Sequence, residues 1–255
     1  MYMKCTGLEP FQLFGPLMWL SAANFDGAHP TGDQVIKGSA SGRTKDSIGN
    51  AVTSAGTIQV EEALGHSAYH FKAGSAITSP TPVSTMFTLA TVFRRKMLKD
   101  EGRFFNGSEG NYMFASDHDK LGEFYLDGYA TSGYKSTTEI ECYIATNENG
   151  VKNMWDVREN RQIATNSRAG ANNWGSTIIG SPPGTNSAED VSLYEALVYQ
   201  YVLNAQQIEQ LKTFFRDKYR IFSTHASPFV FPSPLAFQFP HQQFRDFKFL
   251  LSQII

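Results

Sequence analysis

Leu193-Tyr194-Glu195-Ala196-Leu197-Val198-Tyr199, followed by Leu203-Asn204-Ala205-Gln206-Gln207-Ile208 and then Phe215-Arg216-Asp217-Lys218-Tyr219, is the stretch that decides the fold. Its first part is rich in tyrosine and aliphatic residues, so residues 193–202 read as a long strand. Asn204 is a good helix N-cap, and Gln207 stands three residues later, as a capping box requires. Ile208, Leu211, Phe215 and Tyr219 then recur at helical spacing. Lys218 and Arg220 put positive charge at the negative end of the helix dipole. The spacing predicts a helix over residues 205–219 that buries Ile208, Leu211 and Phe215 under a sheet.

Upstream, short alternating segments are separated by clusters of Gly, Asn, Asp, Ser and Pro at 27–32, 37–42, 106–111 and 180–186. Regular turn signals between short strands suggest a sandwich or a barrel. Residues 85–96 read as a long strand with Phe87, Leu89, Thr91 and Phe93 on one face. Met86, Ala90 and Val92 lie on the other, so both sides are largely apolar, which suits a central strand covered on both faces. Residues 139–146 alternate more cleanly: Ile140, Cys142 and Ile144 should face the core, and Glu139, Glu141 and Tyr143 should point away. Cys142 then reads as a small buried hydrophobe rather than a reactive thiol.

The composition agrees. In 255 residues there are 20 Phe and 21 Gly, with aromatics at 13% and charged residues at 18%, which describes a strand-rich chain with many turns. A chain of this length can bury a large core and needs no disulfides to fold. Its two cysteines, Cys5 and Cys142, have no spacing that argues for a bridge. The net charge is −2 and the densest basic run is only Arg94-Arg95-Lys96, so a nucleic-acid partner is not expected. No apolar run reaches the ~20 residues of a membrane helix. Lys4, the apolar stretch 11–20 and Ser21-Ala22-Ala23 look weakly like a signal peptide, but Pro10, Gly15 and Pro16 interrupt it. The stretch reads instead as the first strand, in a chain made in the cytoplasm without a cleaved signal peptide.

Four segments in order are similar to a known family. They are Leu17-Met18-Trp19-Leu20-Ser21-Ala22; Asp46-Ser47-Ile48-Gly49-Asn50; Ala68-Tyr69-His70-Phe71-Lys72-Ala73-Gly74; and the 193–219 stretch. Together they resemble the laminin-G-like jelly-roll family of the concanavalin A-like lectin/glucanase superfamily, over roughly residues 13–222. The resemblance implies an all-β, two-sheet antiparallel sandwich with one short C-terminal helix. Ser21 stands where the family usually has Asp, and a Trp often found before the 46–50 turn is missing. Glu195, on the last strand, reads as a satisfied residue at a sheet edge.

Glucanases of that superfamily carry alternating carboxylates on one strand. A retaining mechanism needs two carboxyl groups about 5 Å apart. Here Glu139 and Glu141 share a face, as do Glu123 and Asp127, but neither pair has the full pattern, and a solvated strand face is the expected role. No serine nucleophile motif is legible, because Gly38-Ser39-Ala40-Ser41-Gly42 has Ala40 in the nucleophile's place. The chain is therefore expected not to be an enzyme. Asp117 and Asp119 would point the same way from an extended segment, which makes them candidate calcium ligands. A polar turn neutralised by Lys120 is the alternative, and no other cofactor is implied. Trp174, with Asn172 and Asn173, and Trp155 are candidate sugar contacts, since an indole can stack on a sugar ring while amides bond its hydroxyls. A tryptophan folded back on its own sandwich is the alternative.

After residue 222 the composition changes. Phe229, Phe231, Phe237, Phe239, Phe244, Phe247 and Phe249 share this stretch with Pro228, Pro232, Pro234 and Pro240. The prolines make the first half an extended arm. From about Gln242, the spacing of Phe244, Phe247, Leu251 and Ile254 reads as a short amphipathic helix. Disordered tails are normally poor in aromatics, so residues 223–255 read as a docking arm for a protein partner or a second copy. The expectation is a structural or adhesion subunit anchored by that arm in a larger assembly, with a virus capsid or tail the most natural host. The alternatives are a free-standing carbohydrate-binding, lectin-like module and a degenerate glycoside hydrolase.

Overall fold

The computed structural model describes residues 14–22, 35–37, 43–45, 51–97, 101–109, 113–117, 120–125, 129–130, 134–135, 137–167, 174–180 and 190–221. All of these lie in one compact unit, Met1–Ser223. The arm residues Phe229, Phe231, Phe237, Phe239, Phe244, Phe247 and Leu251 lie outside the described residues, as do Asn172, Asn173, Asp119 and Cys5.

Among the described residues, eighteen strands precede the helix at 205–219. They are β1 (Met18–Ser21), β2 (Val35–Lys37), β3 (Arg43–Lys45), β4 (Ala51–Ala55), β5 (Thr57–Ala63), β6 (His66–Phe71), β7 (Ala76–Val83), β8 (Met86–Arg95), β9 (Glu101–Gly107), β10 (Met113–Asp117), β11 (Lys120–Tyr125), β12 (Tyr129–Ala130), β13 (Tyr134–Lys135), β14 (Ile140–Glu148), β15 (Val151–Asp156), β16 (Arg161–Ser167), β17 (Gly175–Gly180) and β18 (Val191–Tyr199). The helix α1 spans Ala205–Tyr219. One sheet runs β16-β15-β14-β8-β18-β6-β5-β2, with β1 beside β18; the other runs β12-β11-β10-β9-β17-β7-β4-β3, with β13 beside β11. Every pairing among the described residues is antiparallel, so they form the all-β, two-sheet sandwich with a short C-terminal helix that the sequence implies.

Two apolar cores sit on the two faces of the first sheet. Between the sheets, Phe87, Leu89, Phe93, Tyr143, Leu193, Ala196 and Val198 meet Ile77, Val83, Phe105, Trp174 and Ile179. On the other face, Trp19, Ala90, Val92, Cys142, Ile144, Tyr194, Leu197 and Tyr199 lie under Ile208, Leu211, Phe215 and Tyr219 of α1. Burying each such helix side chain contributes about 1.5–3 kcal/mol. Strands β8 and β18 are therefore covered on both sides, as the two apolar faces of β8 predict.

Strand β14 differs from expectation. Cys142 and Ile144 are buried as predicted, but Tyr143 and Glu141 are buried as well. The reason is the second core: with α1 on one face and the other sheet on the opposite face, the strand has no solvated side. Burial also raises the Cys142 thiol well above its ordinary value, and the carboxylates of Asp156 and Glu195 add to this while Arg216 opposes it.

The helix forms where its caps predict. The Asn204 side chain accepts from the Gln207 backbone N–H at 2.9 Å, and Gln207 Oε1 accepts from the Asn204 N–H at 3.0 Å. Arg220 ends it in the left-handed conformation with φ 52°, and its N–H reaches Arg216 O, one of the carbonyls a helix end leaves open.

Candidate functional site

The first polar constellation is structural. A bulge in β18 at Leu193/Glu195 shifts the register against β8. Glu195, wholly buried, accepts from Trp19 Nε1 at 2.6 Å and from Tyr219 Oη at 2.5 Å, and pairs with Lys218 Nζ at 2.9 Å. The Lys218 ammonium also lies 5.8 Å from the Trp19 ring centre and 5.1 Å from that of Phe214. Glu195 is satisfied, as its sequence context suggests, but β18 lies inside the sheet and not at its edge. The carboxylate joins β1, β18 and α1.

A second constellation lies on the same face beyond the helix end. His70 Nε2 is 2.5 Å from Asp190 Oδ1, and its Nδ1 is 3.3 Å from Lys96 Nζ and 3.5 Å from Glu61 Oε2. Lys96 Nζ donates to Glu61 Oε2 at 2.5 Å, and Ser192 Oγ donates to Glu61 Oε1 at 2.6 Å. Burial raises the pKa of Glu61, but the hydrogen bonds from Lys96 and Ser192, with the charges of His70 and Lys96, outweigh it and hold the carboxyl below its ordinary value. The serine gives its proton to Glu61, so the imidazole is not activating it as a nucleophile. Nothing local in the sequence announces this cluster, because β5, β6 and β18 each supply one member, Lys96 immediately follows β8 and Asp190 immediately precedes β18.

Glu141, expected on a solvated face, instead pairs with the buried Arg95 and accepts from the Thr137 N–H at 2.8 Å. Isolated buried charge is costly, so Arg95 and Glu141 are buried as a pair. Glu139 is exposed.

The expected sugar contacts separate. Trp174 has no exposed surface; its Nε1–H donates to Thr177 Oγ1 at 3.2 Å, and its ring centre lies 5.2 Å from that of Phe87. Sugar stacking at Trp174 is thus corrected, because both sheets cover the ring. Gly107 follows from this, since a Cβ there would lie 2.3 Å from the Trp174 carbonyl oxygen. Trp155 is only half-buried, at the outer rim of the second core. Asp117 ends β10, opposite Lys120 and Glu101. Among the described residues, no three His, Cys, Asp or Glu side chains gather as a metal site, and no helix is long and apolar enough to cross a membrane.

Trp155 belongs to a small surface that sequence reading did not assemble. On the face of the β15–β16 hairpin, Trp155 is opposite Gln162 and Asn153 is opposite Thr165. Gln162 and Thr165 are exposed and Asn153 is half-buried. Asn153 Oδ1 accepts from Gln162 Nε2 at 2.8 Å and from Thr165 Oγ1 at 3.1 Å. Lys212 Nζ, paired with Glu209 at 2.6 Å, lies 5.9 Å from the Trp155 ring centre. Aromatic, amide and hydroxyl groups side by side are what a sugar requires of a surface.

No family model matches the chain, and no curated protein does. Among solved structures it is similar to Trypanosoma rangeli sialidase in complex with the inhibitor DANA, with a TM-score of 0.55 and 14% identity over 78% of this chain and 32% of that one. It is also similar to Domain 4 of AbnA, a GH43 extracellular arabinanase from Geobacillus stearothermophilus, in complex with arabinotriose. There the TM-score is 0.51 and the identity 13%, over 75% of this chain and 93% of that domain. The chain spans about a third, 32%, of the sialidase chains it matches. At these identities the likeness is one of fold. It corrects the expectation that the chain is not an enzyme: the fold is one that a sialidase and an arabinanase carry. Missing one strand's carboxylate pattern does not remove a chain from such company, because chemistry is set by sites and not by the fold.

Proposed function

We propose that the chain is a glycan-binding, lectin-like module, a laminin-G-like jelly roll of the concanavalin A-like superfamily, serving adhesion within a larger assembly such as a virus particle. Residues 223–255 are its anchor in that assembly. The observation that carries the reading is the likeness to Domain 4 of the arabinanase, which extends over 93% of that domain and 75% of this chain and was solved with arabinotriose. The half-buried Trp155, beside Asn153, Gln162 and Thr165, supports it with the chemistry a sugar needs. Incubating the full chain with an array of immobilised glycans tests the reading. Saturable signal on a related set of glycans is expected, and an array without signal above that of heat-denatured chain contradicts it. Assaying the same glycans for cleavage tells binding alone from turnover.

A further inference from the structure

We propose that the outward face of the β15–β16 hairpin is the saccharide site, with Trp155 as stacking platform, Asn153, Gln162 and Thr165 as hydroxyl partners, and one neutral sugar unit as occupant. This rests on the glycan reading above and assigns its site.

The three tryptophans set the contrast. Trp19 and Trp174 are buried, and their indole N–H groups donate to Glu195 and Thr177. Trp155 keeps exposed surface, and its Nε1–H has no partner among the described residues. An indole at a protein surface presents an apolar body and a donor that seeks a partner, and a sugar ring with its hydroxyls offers both.

The amides beside it are already oriented. Gln162 Nε2 and Thr165 Oγ1 both donate to Asn153 Oδ1, so the Asn153 amide is held between two partners across the strands. That leaves Asn153 Nδ2 with both protons, and Gln162 Oε1 as an acceptor, without partners among the described residues. Ordering these groups in advance lowers the entropy lost on binding. Asn153 and Trp155 are two residues apart on one strand, hence about 7 Å apart, and their partners on β16 lie about 5 Å across. A patch of that size accommodates one sugar ring and its hydroxyls. The four side chains are uncharged, and the ammonium under the indole, Lys212, is already paired with Glu209. A neutral sugar therefore fits better than an anionic one.

The full chain, labelled with ¹⁵N at tryptophan, gives indole N–H signals in which Trp155 is assigned by Trp155→Phe. Arabinotriose, cellotriose, maltotriose, lactose and 3′-sialyllactose are the probes. At least one neutral probe should move the Trp155 signal and leave those of Trp19 and Trp174 in place. Gln162→Ala removes an exposed side chain and should leave the fold unchanged while weakening that probe at least fivefold; Trp155→Phe should weaken it at least tenfold. A neutral probe that binds both variants as tightly as the parent, or leaves the Trp155 signal unmoved, overturns the site and leaves the glycan reading standing. Preference for 3′-sialyllactose overturns the neutral sugar. If none of the probes binds, the neutral-sugar site falls, and the glycan array decides the glycan reading separately.

Discussion

Trp19 Nε1 donates to Glu195 Oε1 at 2.6 Å across a sequence separation of 176 residues. This bond ties β1 to the strand beside it, and Tyr219 and Lys218 bring the helix to the same carboxylate. Replacing Glu195 by Ala leaves an indole N–H, a phenol O–H and an ammonium facing a void. Breaking a buried charged pair by removing one partner costs about 3–5 kcal/mol. Glu195→Ala should lose stability of that order in urea unfolding, and Glu195→Gln clearly less, because its carbonyl still accepts. Equal losses for the two variants would mean that packing, and not the acceptor, matters at this position.

Trp174→Ala should destabilise the chain by about 3–5 kcal/mol, the usual cost of removing a large aromatic from a core. The urea midpoint reads it. A stable Trp174→Ala variant would show that the ring is not held between the sheets.

Acid should weaken the fold in two steps. Burial pushes His66, packed against Tyr194 and Tyr219, below its ordinary value of 6.5; Glu62 opposes this, and Arg220 and Lys218 add to it. With the folded value depressed, the unfolded chain takes up the proton first. The contribution is complete above pH 6.5 and is lost as the pH falls below it. The Glu61 carboxyl is likewise depressed from 4.5, so its contribution is complete above that pH and is lost below it. Melting temperature against pH should drop first below 6.5 and again below 4.5. His66→Phe should flatten the first step and Glu61→Gln the second. A profile unchanged by both substitutions contradicts the assignment.

Much of the fold was legible because the deciding signals are local. The Asn204–Gln207 capping box and the spacing of Ile208, Leu211 and Phe215 locate the helix, and the two apolar faces of β8 announce a strand covered twice. The site was less legible. An Asn- and Gly-rich neighbourhood suggests an exposed loop around Trp174, but the ring's burial depends on Phe87, Phe105 and Thr177, two of them far away in sequence. Gln162 and Thr165 look ordinary until the β15–β16 register sets them beside Trp155 and Asn153. The Glu61, His70 and Ser192 cluster has the same character, since strand order alone brings its members together.

Removing residues 224–255 should leave the sandwich folded, because Ile221 is already buried and Arg220 already caps the helix within the first unit. The truncated chain should melt within a few degrees of the full chain and scatter less light, since seven phenylalanines leave with the arm. Unfolding of the truncated chain would place the arm in the core of its own domain, and a monodisperse, monomeric full chain would remove the case for a docking role.

Glycan binding by the sandwich is tested most directly by calorimetric titration of the full chain with the strongest array glycan, at low and at high salt. Contacts from an indole, amides and a hydroxyl are not screened by ions, whereas exposed charge–charge contacts are. Saturable binding of one glycan per chain, with affinity unchanged within about twofold between 0.05 and 1 M salt, is the predicted result. No heat of binding, or an affinity that collapses as salt rises, would contradict it.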